Sequence, residues 1–402
     1  MIGMKDIQAY LPELEENYRH LHQCPELGFE ETETSAYILK KLAEYGIEGK
    51  QAARTGIIAD IRGSAPGKMV AIRADMDALP IEELSGVSYA SRNKGKMHAC
   101  GHDSHVTMLL GAAHYLKDHP ELFCGTVRLI FQPAEEGFDM SVLQEVCKEG
   151  GDMRGGAASM IAFGALEGVD ACFALHINSS MPVGTLGVPE ERFSASSDIF
   201  ELTIQGRGGH GSAPEDAVDP TGALAAVITA YNALPSREVG ALDSCSLSIG
   251  AIRCGEVWNA IPDSAYVTGG LRAFSNEMRD HIFQRLKEIA EGICTAHRCT
   301  AQFCRHEGYA PGICDQEMVQ VMSRVGREVL GKENVTMLPK PMMGSEDVGY
   351  YFQKVPGVIG WLGGMPEAGP VPQHNPHFKI DLNALPHGML VHIAMALDYL
   401  NR

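Results

Sequence analysis

Apolar and polar positions fall into two textures along the chain. Up to about residue 193, and again from about 306, short apolar runs ("GIIADIR", "MVAIRA", "GTVRLIFQ", "ACFALH", "VIGWLGG") are separated by turn residues and by stretches of helical period such as "SHVTMLLGAAHYLKDH". Such runs predict short buried strands, and their alternation with helices predicts a mixed, largely parallel sheet flanked by helices. Further helices are predicted at about 4–20, 32–46, 316–331 and 383–401, and the Gly-rich stretch "CKEGGDMRGGA" at 147–157 reads as a loop.

The middle of the chain differs. "DIFELTIQ" at 198–205 alternates Phe200, Leu202 and Ile204 with polar neighbours, the pattern of a sheet with one open face. Asp219 and Pro220 form an N-cap and first-turn pair for the helix "TGALAAVITAYNAL". The strands "CSLSIGAI" and "AYVTGGLRAF" follow, then a helix opening at Ser275 and a last strand "CTAQFCR". The order β-α-β-β-α-β predicts a ferredoxin-like unit. We therefore expect an α/β domain formed by 1–193 and 306–402, interrupted by an inserted α+β lid at 194–305. The 402 residues exceed the ~250 to 300 at which a single core stops growing, which agrees with two domains.

Charge narrows the function. The 51 acidic and 33 basic residues give a net charge of −18, which repels phosphate backbones and anionic lipid, so neither nucleic acid nor membrane is expected as a partner. Eleven scattered cysteines without a CxxC pair suit reduced thiols. No secretory signal and no apolar run near the ~20 residues of a membrane helix is present, so a soluble cytoplasmic protein is expected.

The chemistry concentrates at "MHACGHDSHV", residues 97–106, where Cys100 stands between His98 and His102. Three readings are open there: a thiol nucleophile with His102 as its base, a metal site, and a packed helix start. The neighbouring strands help to decide. "GTVRLIFQ" runs into "PAEEG", placing Glu135 and Glu136 beyond its carboxyl end; "ACFAL" delivers His176 to the same relative place, and "MVAIRA" ends in Asp75 and Asp77. Ligands of open α/β sheets gather on that rim. Adjacent residues on extended chain point in opposite directions, so one glutamate can bind metal while the other takes a proton from water. His98, His105 and His114 read as structural or as supports behind the ligands.

The segments "HQCPELGFEETETS", "RADMDALP", "HACGHD", "FQPAEEG", "ALH", "GRGGHGSAP", "GSEDVGYY" and "HNPHF" resemble, in order, the signatures of the M20 metallopeptidase superfamily. The resemblance is to its amidohydrolase branch, which includes hippurate hydrolases, N-acyl-amino-acid deacylases and auxin-conjugate hydrolases. It implies two divalent ions per subunit, with Cys100 as a bridging thiolate and His102, Glu136, His176 and His374 as the other ligands. It also implies Glu135 as general base, Asp77 as the carboxylate that orients a ligand imidazole, and His210 as a lid residue that reaches a neighbouring subunit's site. Asn259 and Arg272 resemble lid groups that hold substrate, and a homodimer joined through the lid is implied.

Several departures stand out: "FDMSVLQEVCKEGGDMR" intervenes after the glutamate pair, "INSS" follows His176, and Glu215 occupies a place where histidine is common. The expected function is hydrolysis of small N-acyl amino acids or related amides. A small-peptide hydrolase and a non-catalytic metal- or small-molecule-binding relative are the alternatives. The donor set accepts Zn, Mn, Co or Ni.

Overall fold

The apolar runs form the strands Gly56–Arg62, Met69–Asp75, Thr126–Gln132, Ala171–Asn178 and Gly357–Gly363 in the computed structural model, which describes residues 2–241 and 243–402. They join three short strands in one eight-stranded sheet, ordered Gly49–Ala52, Gly56–Arg62, Thr126–Gln132, Met69–Asp75, Ala171–Asn178, Gly357–Gly363, Leu186–Pro189, Val335–Leu338. The four central strands run parallel, while Gly56–Arg62 and Leu186–Pro189 pair antiparallel to that block. Every residue of Gly357–Gly363 is buried, as expected of a strand covered on both faces. The helices His102–Asp118 and Ala384–Leu400, buried along most of their length, pack against each other and against the sheet.

The chain divides into two compact units. One runs through Phe193 and resumes over Ile313–Pro341 and Asp347–Arg402, and the other takes Ser194–Gly312 and Met342–Glu346. In the second unit an antiparallel sheet is ordered Cys245–Cys254, Ser264–Ala273, Asp198–Gln205, Thr300–His306. With the helices Pro220–Glu238 and Asn276–Ala296 this gives the split βαβ arrangement. Phe200, Leu202 and Ile204 face those helices in a core with Tyr231 and Leu286. Asp219 accepts from Thr221 N at 2.9 Å and Ser275 from Met278 N at 3.1 Å, so both helix starts lie where their caps put them. The unit extends beyond 305 because Ser197 N donates to Tyr309 O (2.9 Å) and Ala195 N to Gly344 O (3.0 Å).

Two local differences from the sequence pattern have simple causes. The first helix begins as a 3₁₀ turn at Gln8–Tyr10 and becomes α-helical only over Leu11–Gln23, with Pro12 in its first turn, where a missing N–H costs nothing. The loop expected at 147–157 is shortened from both sides by the helices Met140–Lys148 and Gly156–Ala162. Asp139 caps the first of these, accepting from Ser141 N at 2.7 Å. No helix among the described residues is long and apolar enough to cross a membrane, and the eleven cysteines are free thiols.

Residues 76–101 form no helix and only an isolated bridge between Leu79 and Met97. A buried imidazole ties this stretch down. His22 Nδ1 lies 2.6 Å from Asp103 Oδ2 and its Nε2 3.1 Å from Glu83 Oε1, and Glu83 also accepts from Ser91 N at 2.6 Å. With a carboxylate on each ring nitrogen the ring carries its charge. Burial opposes that charge, but the hydrogen bonds to Asp103 and Glu83 outweigh it and raise the pKa to about 9. A folded pKa above the unfolded value of about 6.5 means stabilisation that is complete below pH ~6.5 and lost as pH rises through 9. The melting temperature of the wild type, relative to His22→Gln, should therefore fall across that window. Parallel curves for the two proteins would show that the ring is neutral.

Candidate metal centre

The glutamate pair is presented by a bend at the carboxyl end of Thr126–Gln132. Ala134 has φ 52°, in the left-handed region that costs a residue with a Cβ on the order of 1–3 kcal/mol. The surroundings hold it there: Ala134 N donates to Glu31 Oε1 (2.9 Å), Gly156 N to Ala134 O (3.3 Å), and Glu136 N to Asp77 Oδ2 (2.8 Å). Cys100 precedes Gly101, whose φ of 92° turns the chain into the helix that begins with His102. His176 stands on Ala171–Asn178. The chain returns at His374, itself at φ 60°, whose N–H donates to Ala99 O at 2.8 Å.

These elements bring the five expected ligands together in the first unit. Cys100, His102 and His176 form one set of potential ligands, and Cys100, Glu136 and His374 a second, each with ligand atoms within 4.8 Å of one another. Cys100 belongs to both, as a bridging thiolate would. His176 Nδ1 donates to Ile177 O (2.8 Å), which leaves the Nε2 lone pair facing Cys100 Sγ at 3.6 Å. His102 Nδ1 pairs with Asp77 Oδ1 (3.1 Å), the orienting contact expected of a ligand imidazole. Its Nε2 is 3.6 Å from Asp75 Oδ2, 4.0 Å from Glu135 Oε2 and 3.8 Å from Glu136 Oε1.

The residues fit divalent cations on two counts. Buried polar atoms normally find hydrogen bonds, yet His102 Nε2 and Glu136 Oε1 are buried with none. His374 Nε2 lies 3.0 Å from Glu136 Oε1 without the alignment of a hydrogen bond, the relation of two groups aimed at a shared third atom. The field agrees. Burial lowers the His102 pKa, but Asp75, Asp77 and Glu136 overcome it and lift the pKa to about 10; a site that holds a proton so firmly attracts a metal cation in its place. Burial, with Glu136 and Glu135 nearby, pushes the Cys100 thiol well above its ordinary value. A nucleophilic thiolate needs the opposite environment, so this one calls for a cation.

Of the remaining histidines, His105, His114 and His377 are hydrogen-bonded elsewhere, while both ring nitrogens of the buried His98 have no hydrogen bond. His105 accepts from Ile177 N at Nε2 (2.8 Å) and bonds Asp75 through Nδ1. His114 pairs with Glu13 (2.8 Å), and His377 Nδ1 is bonded to Leu84 O (2.6 Å). His98 is buried, and burial lowers its pKa to about 4. His210, Asn259 and Arg272 lie in the second unit. His210 is exposed, contacts Ser212 Oγ (2.7 Å) and sits on a two-stranded ribbon opposite Ala260, next to Asn259. Arg272 bonds Ser345 Oγ and Met343 O.

Sequence reasoning passed over several supports of the centre. Arg73 is 1% exposed and donates to Gln132 Oε1 (2.8 Å), Asp75 Oδ2 (2.6 Å) and Asp347 Oδ1 (2.8 Å). Gln373, next to His374, reaches Cys100 O at 3.3 Å. Glu31 is fully buried; burial and then the Asp77 charge raise its pKa to about 8. The polar interruption of an otherwise apolar strand was the available signal for Arg73; Glu31 had only its place in an unassigned motif.

Comparisons with known proteins agree with this geometry. The model of "Peptidase family M20/M25/M40" matches residues 71–398. An N-acetyl-L-cysteine deacetylase of Bacillus subtilis is 38% identical over 369 residues, covering 91% of this chain and 83% of its own. An IAA-amino acid hydrolase of Arabidopsis thaliana is 38% identical over 388 residues, covering 95% and 84%. A crystal structure described as a dinuclear metal binding peptidase from the M20 family, from Bacillus subtilis, superposes with a TM-score of 0.83 at 32% identity, covering 98% of this chain and 99% of that one. The chain belongs to peptidase family M20/M25/M40 and is a metal-dependent hydrolase.

Proposed function

We propose that the protein cleaves the amide bond of small N-acyl amino acids or related amides, with Glu135 as the general base. The observation that carries this reading is the pair of carboxylates, Glu135 Oε2 and Glu136 Oε1, both within 4.0 Å of His102 Nε2 in a buried centre. Cys100, His102, Glu136, His176 and His374 would hold two ions, and Asp77 would orient His102. Bound there, divalent ions supply Lewis acidity that brings the pKa of water toward ~7. Glu135 is left to accept the proton from water and return it to the departing amine. The names of the deacetylase and the IAA-amino acid hydrolase support the substrate class; the structural relative's description as a peptidase favours a small-peptide hydrolase as the second reading.

The test is a hydrolysis screen of N-acetyl, N-benzoyl and long-chain N-acyl amino acids alongside dipeptides, after chelation and resupply of Zn, Mn, Co or Ni. Turnover of N-acyl amino acids that vanishes on chelation and returns with metal is expected. Full activity in the chelated, metal-free protein would overturn the metal mechanism, and turnover of dipeptides alone would favour the second reading.

In this reading the protein acts in the cytoplasm, and the second unit is a lid that joins two copies. His210 then serves the partner's centre and helps stabilise the tetrahedral oxyanion, while Asn259 and Arg272 hold the substrate, Arg272 through a bidentate fork suited to a carboxylate. The free edge of Cys245–Cys254 and the exposed Val257 and Trp258 beside it support pairing between lids. Mixing inactive His210→Ala with inactive Glu135→Gln should restore part of the activity after subunit exchange, because each mixed dimer has one intact composite centre. Verified exchange with no recovered turnover would return His210 to a role within its own chain.

A further inference from the structure

The motif "HQCPELGFEETETS" supplies none of the proposed ligands, yet its residues 26–31 touch both the loop that carries Asp77 and the loop that carries Glu135 and Glu136. Glu26 O accepts from Ala78 N at 2.8 Å, one residue beyond Asp77. Gly28 bridges to Phe138, and a Cβ there would fall 2.0 Å from Gly137 O and 2.9 Å from Ala134 Cα, so only glycine allows the approach. Phe29 is fully buried in a small cluster with Ala134, Leu143 and Val146, and its ring lies 5.8 Å from that of Phe138. Glu31 accepts from Ala134 N (2.9 Å) and Thr55 Oγ1 (2.6 Å). The far end of the segment is anchored as well, because the Glu26 carboxylate accepts from Glu33 N (3.1 Å) and Thr34 N (2.8 Å) at the start of the helix Thr32–Glu44.

We propose that residues 26–31 form a bracket that aims Glu135, and that Glu31 is its positioning residue. Ala134 has no intrinsic preference for its left-handed conformation; the Glu31 carboxyl captures its N–H on one side and the Phe29 cluster closes the other. The helix Met140–Lys148, which lies within the segment that departs from the family pattern, contributes Leu143 and Val146 to that cluster. The additional segment thus braces the bend from behind. A base held out of line by about 1 Å loses rate without losing its chemistry.

The inference rests on Glu135 acting as the base, so its test has an arm that needs no turnover. In Glu31→Ala, amide hydrogen exchange over residues 134–138 should quicken by about tenfold or more, since the bend loses its tether. Metal content should stay at the wild-type level, and kcat should fall by about 10- to 100-fold with KM within about threefold of wild type. Glu31→Gln should recover both, because an amide oxygen still accepts from Ala134 N. Unchanged exchange at 134–138, a Gln variant as impaired as Ala, or a loss confined to melting temperature would each overturn the bracket. If Glu31→Ala does not fold, Thr55→Val decides: it removes one Glu31 partner and should move exchange and kcat in the same direction by less, whereas no change in either would overturn the proposal. If the wild type turns over no N-acyl amino acid, the functional reading fails while the exchange arm still decides the bracket.

Discussion

Glu135→Gln should lower kcat by about 10²- to 10⁴-fold while KM and metal content stay near wild type, because removing a proton shuttle removes a transition-state contribution and little else. The two glutamates are neighbours in sequence but differ in their surroundings. Glu136 has a buried oxygen without a hydrogen bond and His374 Nε2 at 3.0 Å, and is held below the ordinary carboxylate range by His374 and His102 against the pull of burial. That is the setting of a ligand, so Glu136→Gln should lower the metal content itself. Metal analysis together with steady-state kinetics on both variants separates the roles; depleted metal in Glu135→Gln and full metal in Glu136→Gln would exchange them.

Arg73→Met should destabilise the fold by about 3–5 kcal/mol, the cost of stranding buried carboxylates once their cation is removed. The guanidinium lies between Asp75 and Asp347, both fully or nearly fully buried, and it is among the largest fully buried side chains of the molecule. Methionine nearly fills the space but supplies no charge. Burial raises the Asp75 pKa, and Arg73 first, then His102 and His105, bring it well below the ordinary value. Without Arg73, Asp75 would lean harder on His102, so weaker metal binding should accompany the loss of stability. Denaturant unfolding that shows a change under about 1 kcal/mol would mean that solvent or a neighbour replaces the guanidinium.

Strands buried on both faces were legible because such burial leaves continuous apolar runs; among the candidate ligands, Glu136 follows such a run, His176 ends one and His102 opens the next helix, whereas Cys100 lies in the loop before that helix and His374 stands apart from any run. The antiparallel sheet of the second unit was legible for a different reason: one of its faces packs on helices, so Phe200, Leu202 and Ile204 alternate with polar residues, and Asp219 and Ser275 cap those helices. What stayed hidden was long-range and polar. Arg73 and Asp347 are 274 residues apart, and no local period marks a buried arginine's partner. Glu31 reads as one more acid in an acidic stretch until the fold places Ala134 N against it. The helix Met140–Lys148 was obscured by the glycines that follow it, although Asp139 had the character of a cap.

The proposed ligands span Cys100 to His374, and all of Ser194–Gly312 is synthesised between the fourth and the fifth. During translation the Cys100 thiol, two imidazoles and the glutamate exist well before His374 docks its N–H on Ala99 O. An emerging chain can therefore offer an ion only an incomplete, exchangeable grip, and the full set closes when the return segment reaches the sheet. Metal retention then becomes a timing mark for maturation: ions that resist washout report chains whose distant ends have already met.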